Sequence, residues 1–116
     1  PEDEESKRLT FAQAATGASG IETLLSLSLE LYHNGSLKLE TIIKALTSSP
    51  AKILKINKGN LSIGNDADLC IVDIYKPWIV KKDKLVSKSK NTSIEDKKLQ
   101  GKVTNTFVKG KELFKL

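Results

Sequence analysis

The stretch Lys58-Gly59-Asn60-Leu61-Ser62-Ile63-Gly64-Asn65-Asp66-Ala67-Asp68-Leu69-Cys70-Ile71-Val72-Asp73 most constrains what this chain can become. It reads as a short strand, a Gly-Asn-Asp turn and a second strand. Gly64 and Asn65 tolerate positive φ, and Leu69 to Val72 has the apolar pattern of a buried strand closed by Asp73. Many hairpins share that outline. The whole string K-G-x-L-x-x-G-x-D-A-D-L-x-x-x-D is far rarer.

The 116 residues suffice for one ordinary domain and not for two. With 39% hydrophobic and 28% charged residues, the chain is expected to fold. It opens at Pro1 and contains no methionine, which predicts a fragment or a processed chain. No apolar run approaches membrane-spanning length and no secretion signal is visible, so the expected location is the cytoplasm, with no membrane partner. Its single cysteine, Cys70, excludes an intrachain disulfide framework and is expected to be a buried, inert thiol.

Charge is unevenly spread. Residues 1–75 hold seven basic and ten acidic groups, a net −3; residues 76–116 hold twelve lysines against four acids, a net +8. A basic half can signal nucleic acid. Here nearly all the cations are lysine, Arg8 is the only arginine, and aromatics that could stack on bases are few. The pattern is read as a solvated lysine face, and no nucleic-acid partner is expected.

Along the chain, residues 1–9 look like a polar loop with an acidic edge at Glu2 to Glu5, and Phe11 to Ser19 like an ordered loop of small residues. Gly20 to Tyr32 has apolar residues at helical spacing (Ile21, Leu24, Leu25, Leu29), ended by Asn34-Gly35. Ser36 is the expected N-cap of a second helix through Leu39, Ile42, Ile43 and Leu46; Pro50 starts a third, Pro50 to Leu54. Beyond Gly59 the period changes. Asn60 to Ile63, Asp68 to Asp73 and Trp78 to Val80 read as strands, Lys81 to Lys98 as a charged loop, and Lys102 to Val108 with Glu112 to Leu116 as a hairpin about Lys109-Gly110-Lys111. A helical first half followed by a β second half suits a segment that crosses a domain boundary near Ile56 to Gly59.

Catalytic chemistry is sparse. His33, the only histidine, is expected to interact with helix-terminal carbonyls, and no metal set or Ser-His-Asp arrangement can be assembled. Gly17-Ala18-Ser19-Gly20 lacks the lysine and the preceding strand of a phosphate loop. Asp66 and Asp68 are expected to cap backbone N–H groups.

Four segments, in order, resemble the C-terminal part of dihydroorotase, in its multidomain-type branch of the amidohydrolase superfamily. Ala14-Ala15-Thr16-Gly17-Ala18-Ser19-Gly20-Ile21-Glu22-Thr23-Leu24-Leu25 resembles the family's P-F-G-I-V-G-L-E-T-A-L. Leu46-Thr47-Ser48-Ser49-Pro50-Ala51-Lys52-Ile53-Leu54 resembles L-S-x-N-P-A-R-I-F. The third is the Lys58–Asp73 string, a mark of the superfamily at large, including dihydropyrimidinase and allantoinase. The fourth, Leu85-Val86-Ser87-Lys88-Ser89-Lys90-Asn91-Thr92 with Leu99-Gln100-Gly101-Lys102-Val103, is similar to S-K-S-R-N-T-P-F…L-x-G-K-V and favours dihydroorotase over those two.

The resemblance implies an α/β fold: residues 1–57 as the substrate loop and last helices of a (β/α)8 TIM barrel, and 58–116 as the C-terminal part of a small composite β-sandwich domain. It implies a zinc hydrolase that interconverts N-carbamoyl-L-aspartate and L-dihydroorotate in pyrimidine biosynthesis. No catalytic residue and no metal ligand falls on this segment; the zinc ligands are expected upstream of Pro1. Thr16 and Gly17 align with the loop that, in the family, lies against the substrate and touches it mainly through backbone; Gly17 matches, while Thr16 replaces the usual Phe or Pro and Ala15 the usual Pro. The implied partners are the substrate, the remainder of the same enzyme, and a homodimer or an aspartate transcarbamoylase assembly. The segment alone is expected to be inactive and to leave apolar surface uncovered. A related cyclic amidase and a noncatalytic homologue acting as an assembly partner are the alternatives.

Overall fold

A computed structural model describes residues 5–116. The acidic edge read at Glu2 to Glu5 therefore falls, but for Glu5, outside the described residues. Three helices, α1 (Leu24–His33), α2 (Leu39–Leu46) and α3 (Ser48–Ile53), precede three strands, β1 (Leu69–Ile79), β2 (Lys98–Val108) and β3 (Lys111–Lys115). The helical-then-β order matches the sequence reading.

Helix α1 begins after a turn in which the Gly20 carbonyl accepts the backbone N–H groups of Thr23 and Leu24 and the Thr23 hydroxyl. It ends where expected: Gly35, at φ +77°, turns the chain back, and its N–H bonds the Tyr32 carbonyl. Ser36 does not cap α2. The Asn34 side chain accepts the Ser36 N–H at 3.0 Å, forming a local turn, so the helix starts two residues later, after an extended Lys38. Pro50 sits in the first turn of α3, where its missing N–H costs nothing.

The sheet is antiparallel in the order β1-β2-β3. Two strands expected at Asp68–Asp73 and Trp78–Val80 are one strand interrupted by irregularity. Its register with β2 shifts between Ile71 and Val72 and again between Asp73 and Pro77. In the second gap the Asp73 carboxylate takes the Tyr75 N–H at 3.0 Å, and Pro77 has no N–H to lose. The C-terminal hairpin forms as read, with Lys109 and Gly110 both at positive φ. Asn60 to Ile63 is not a strand. The segment is a loop whose side chains bond one another: Asn65 Nδ2 donates to Asn60 Oδ1, and Asn57 Nδ2 to Asn65 Oδ1. Gly64 still makes the turn, at φ +93°.

The core lies where α1 crosses β2. Leu29, Val80, Leu85 and Leu99 are buried there. Gly101 lets the helix approach, because its missing side chain leaves room for Leu29. Ser26 closes the joint by donating to the Gly101 carbonyl at 2.6 Å and accepting the Trp78 indole N–H at 3.1 Å. Cys70 is exposed, contrary to the sequence reading. It lies on β1, which packs on β2 while α1 lies across β2, so no described layer covers the cysteine. No helix among the described residues is long and apolar enough to cross a membrane.

Candidate functional site

The loop from Ala14 to Gly20 is built of small residues and lacks regular structure. Thr16, Gly17 and Ala18 are exposed. Gly17 stands at φ +90°, and a β-carbon there would meet nothing within 4 Å. Both residues singled out from the sequence, Thr16 and Gly17, thus share one open backbone bend. Among the described residues, no partner accepts the N–H of Gly17 or of Ala18.

Two segments, one just upstream and one distant in sequence, hold this bend. On one side the Ala15 N–H bonds the Ser6 carbonyl at 3.0 Å, and the Lys7 ammonium donates to the Ala15 carbonyl at 2.7 Å. Across the loop, Asn91 Nδ2 donates to the Gly17 carbonyl at 3.1 Å, and the Asn91 carbonyl accepts the Ser19 N–H at 2.7 Å. The Ser19 hydroxyl donates to the Ser89 carbonyl at 2.8 Å and lies 3.2 Å from the Ser87 hydroxyl. Glu22 extends the attachment: its two carboxylate oxygens accept the N–H groups of Val86 and Ser87. A cleft of about 470 Å³ opens beside the loop, between Ser19, Gly20 and Glu22 on one wall and Leu85 and Ser87 on the other.

The strap has a simple logic. From Leu85 to Asn91 the odd-numbered residues are buried or half-buried, and Val86, Lys88 and Lys90 are exposed. Ser87 and Asn91 therefore turn short polar side chains toward the Gly17 loop, while Lys88 is exposed and the exposed Lys90 brings its ammonium back onto the Leu85 carbonyl. Sequence reasoning used Ser87 to Asn91 only as a mark of family. The signal that could have found its role is this alternation of short polar residues with lysine.

The remaining candidates lie in other surroundings. His33 Nε2 is 3.0 Å from the Ile74 carbonyl of β1, not on a helix-terminal carbonyl, and its ring sits between those of Tyr32 and Tyr75. Asp68 caps a backbone N–H as expected, that of Lys109 at 2.8 Å, and also takes the Lys58 ammonium. Asp66 instead pairs with Lys58 at 2.9 Å. The Lys58 ammonium, then the Lys109 N–H, holds the Asp68 carboxyl below its ordinary value. Among the described residues no group of three or more His, Cys, Asp or Glu could hold a metal.

Comparison with known proteins adds family membership to this geometry. Residues 8–113 match the model of the amidohydrolase family. A dihydroorotase of Ehrlichia chaffeensis is 43% identical over 99% of the chain, and one of a Wolbachia from Drosophila simulans is 42% identical over 98%. The chain spans about a quarter (26%) of each relative's length. Among solved structures, the L-hydantoinase (dihydropyrimidinase) of Arthrobacter aurescens superposes with a TM-score of 0.84 at 31% identity, covering 90% of this chain and 24% of that one. The dihydropyrimidinase of Brevibacillus agri reaches 0.90 at 19% identity, covering 99% and 26%, a likeness of fold alone.

Proposed function

The chain belongs to the amidohydrolase family, and from that premise we propose that it is the C-terminal part of a dihydroorotase, a hydrolase of cyclic amides. The intact enzyme interconverts L-dihydroorotate and N-carbamoyl-L-aspartate in pyrimidine biosynthesis. One observation carries the choice of substrate. The Ser-Lys-Ser-Lys-Asn-Thr segment, the part of the resemblance that favours dihydroorotase, is the one bonded to the Gly17 loop.

In this reading residues 1–57 supply the substrate loop and the last barrel helices, and 58–116 supply part of the small β-domain. Thr16 and Gly17 lie against the substrate. The open N–H groups of Gly17 and Ala18 suit a ligand rich in carbonyl and carboxylate oxygen, and a backbone without a β-carbon admits close approach. The segment binds and orients; zinc and the group that shuttles protons belong to the rest of the polypeptide.

A second reading, a hydantoin- or dihydropyrimidine-opening enzyme, is favoured by the 31% identity to the L-hydantoinase. Turnover by the intact protein separates the two. The expected result is a higher kcat/KM for L-dihydroorotate than for hydantoin and dihydrouracil. A reversed order would sink the first reading in favour of the second, and no turnover of any of the three would sink both.

A further inference from the structure

We propose that Asn91 is a positioning residue for the Gly17 loop, fixing the bend that meets the substrate. The inference rests on the reading of that loop as a substrate-binding element. Asn91 makes two bonds that flank Ala18, one from its side chain to the Gly17 carbonyl and one from its own carbonyl to the Ser19 N–H. Together they pin the loop on both sides of its exposed apex. They also turn the Gly17 carbonyl inward, while the Gly17 and Ala18 N–H groups stay without a protein partner among the described residues.

Between the bonds at Ala15 and those at Ser19, nothing else among the described residues fixes the apex. Thr16, Gly17 and Ala18 are exposed, and glycine has the widest conformational choice of any residue. A loop with few buried groups opens locally at small cost, and a ligand that needs the ordered form binds more weakly by the fraction disordered. Serine at position 91 would be too short to reach across. An aspartate would fill the same space but offer the Gly17 carbonyl no donor at neutral pH. Asn91 also caps the strap itself, because its N–H reaches the Ser89 hydroxyl at 3.3 Å.

The test uses the intact enzyme with Asn91→Asp and Asn91→Ala, and Asn65→Ala as a control whose side chain bonds Asn57 and Asn60 and not the Gly17 loop. Two quantities are read: steady-state kinetics with L-dihydroorotate, and amide hydrogen exchange of residues 15–20. Loss of one hydrogen bond predicts a KM raised about 3- to 10-fold with kcat changed less than about 2-fold, because the loop binds without taking part in chemistry. Exchange at Ser19, whose N–H is the loop amide bonded to Asn91, should speed by a similar factor in both Asn91 variants and stay unchanged in Asn65→Ala. Asn91→Asp keeps the side-chain volume, so it serves where the alanine variant does not fold. Unchanged exchange in the Asn91 variants overturns the proposal whatever the substrate is. So does an unchanged KM, or a KM raised equally by Asn65→Ala, since general loosening would then explain the effect. If the wild type opens no dihydroorotate ring, the substrate reading fails by itself, and the exchange arm still decides whether Asn91 holds the loop.

Discussion

At Gly101 an added β-carbon would collide with Leu29 Cδ1, and the backbone sits at φ +100°. Leu29 is fully buried and has nowhere to move. Gly101→Ala should therefore destabilise the intact protein by about 2–4 kcal/mol, read as a lowered midpoint in denaturant. Gly64→Ala meets only open space at φ +93° and should cost about 1–2 kcal/mol. Equal costs would show that strain alone, and not the Leu29 approach, matters at Gly101. Asp68 gives a pH prediction. Lys58 and the Lys109 N–H lower its native pKa, so its contribution is present above the unfolded value and is lost as pH falls through the native one. NMR titration of the Asp68 carboxyl should give a midpoint below the ordinary 3.8; a midpoint at or above it would contradict the pairing. These single-residue roles were unevenly legible in the sequence. Asp68 as a backbone cap was readable because a carboxylate in a turn has few other uses. Cys70 was misread because an apolar neighbourhood in sequence does not say which face of a strand is covered, and His33 because its partner lies 41 residues away.

Element by element, the period of apolar residues fixes the helices well and the strands less well. Helix α1 ends at Asn34-Gly35 because that pair ends helices for local reasons. The break between Asp73 and Trp78 looked like the end of a strand because Tyr75, Lys76 and Pro77 interrupt the pattern. In the fold it is an irregular stretch inside β1. Asn60 to Ile63 has strand-like composition but no partner strand among the described residues, and pairing is what makes a strand stable. The joint between α1 and the sheet depends on a contact no local pattern shows. Ser26 is buried and serves both the Gly101 carbonyl and the Trp78 indole. Ser26→Ala leaves two polar groups unpaired and should cost about 1–3 kcal/mol, with a shift in the fluorescence of Trp78, the chain's only tryptophan. A neutral effect on stability would show that water replaces the hydroxyl.

Over the whole molecule the core is small for the chain. The radius of gyration is 16.5 Å, against about 13 Å for a compact domain of this length. Phe11, Ile21, Ile63 and Val86 are almost fully exposed, and among the described residues β1 and β3 each leave one edge unpaired. Apolar surface and open edges on this scale drive association. The 116 residues expressed alone should self-associate or bind a hydrophobic dye in sedimentation and fluorescence measurements, and a compact monomer with a cooperative melt would refute this. The family was legible because four motifs in order constrain far more than any one element. The most direct measurement of the account is hydrogen exchange of the intact enzyme with and without L-dihydroorotate. The account predicts slowed exchange in residues 14–20 when the ligand binds; protection elsewhere with those residues unchanged would contradict it.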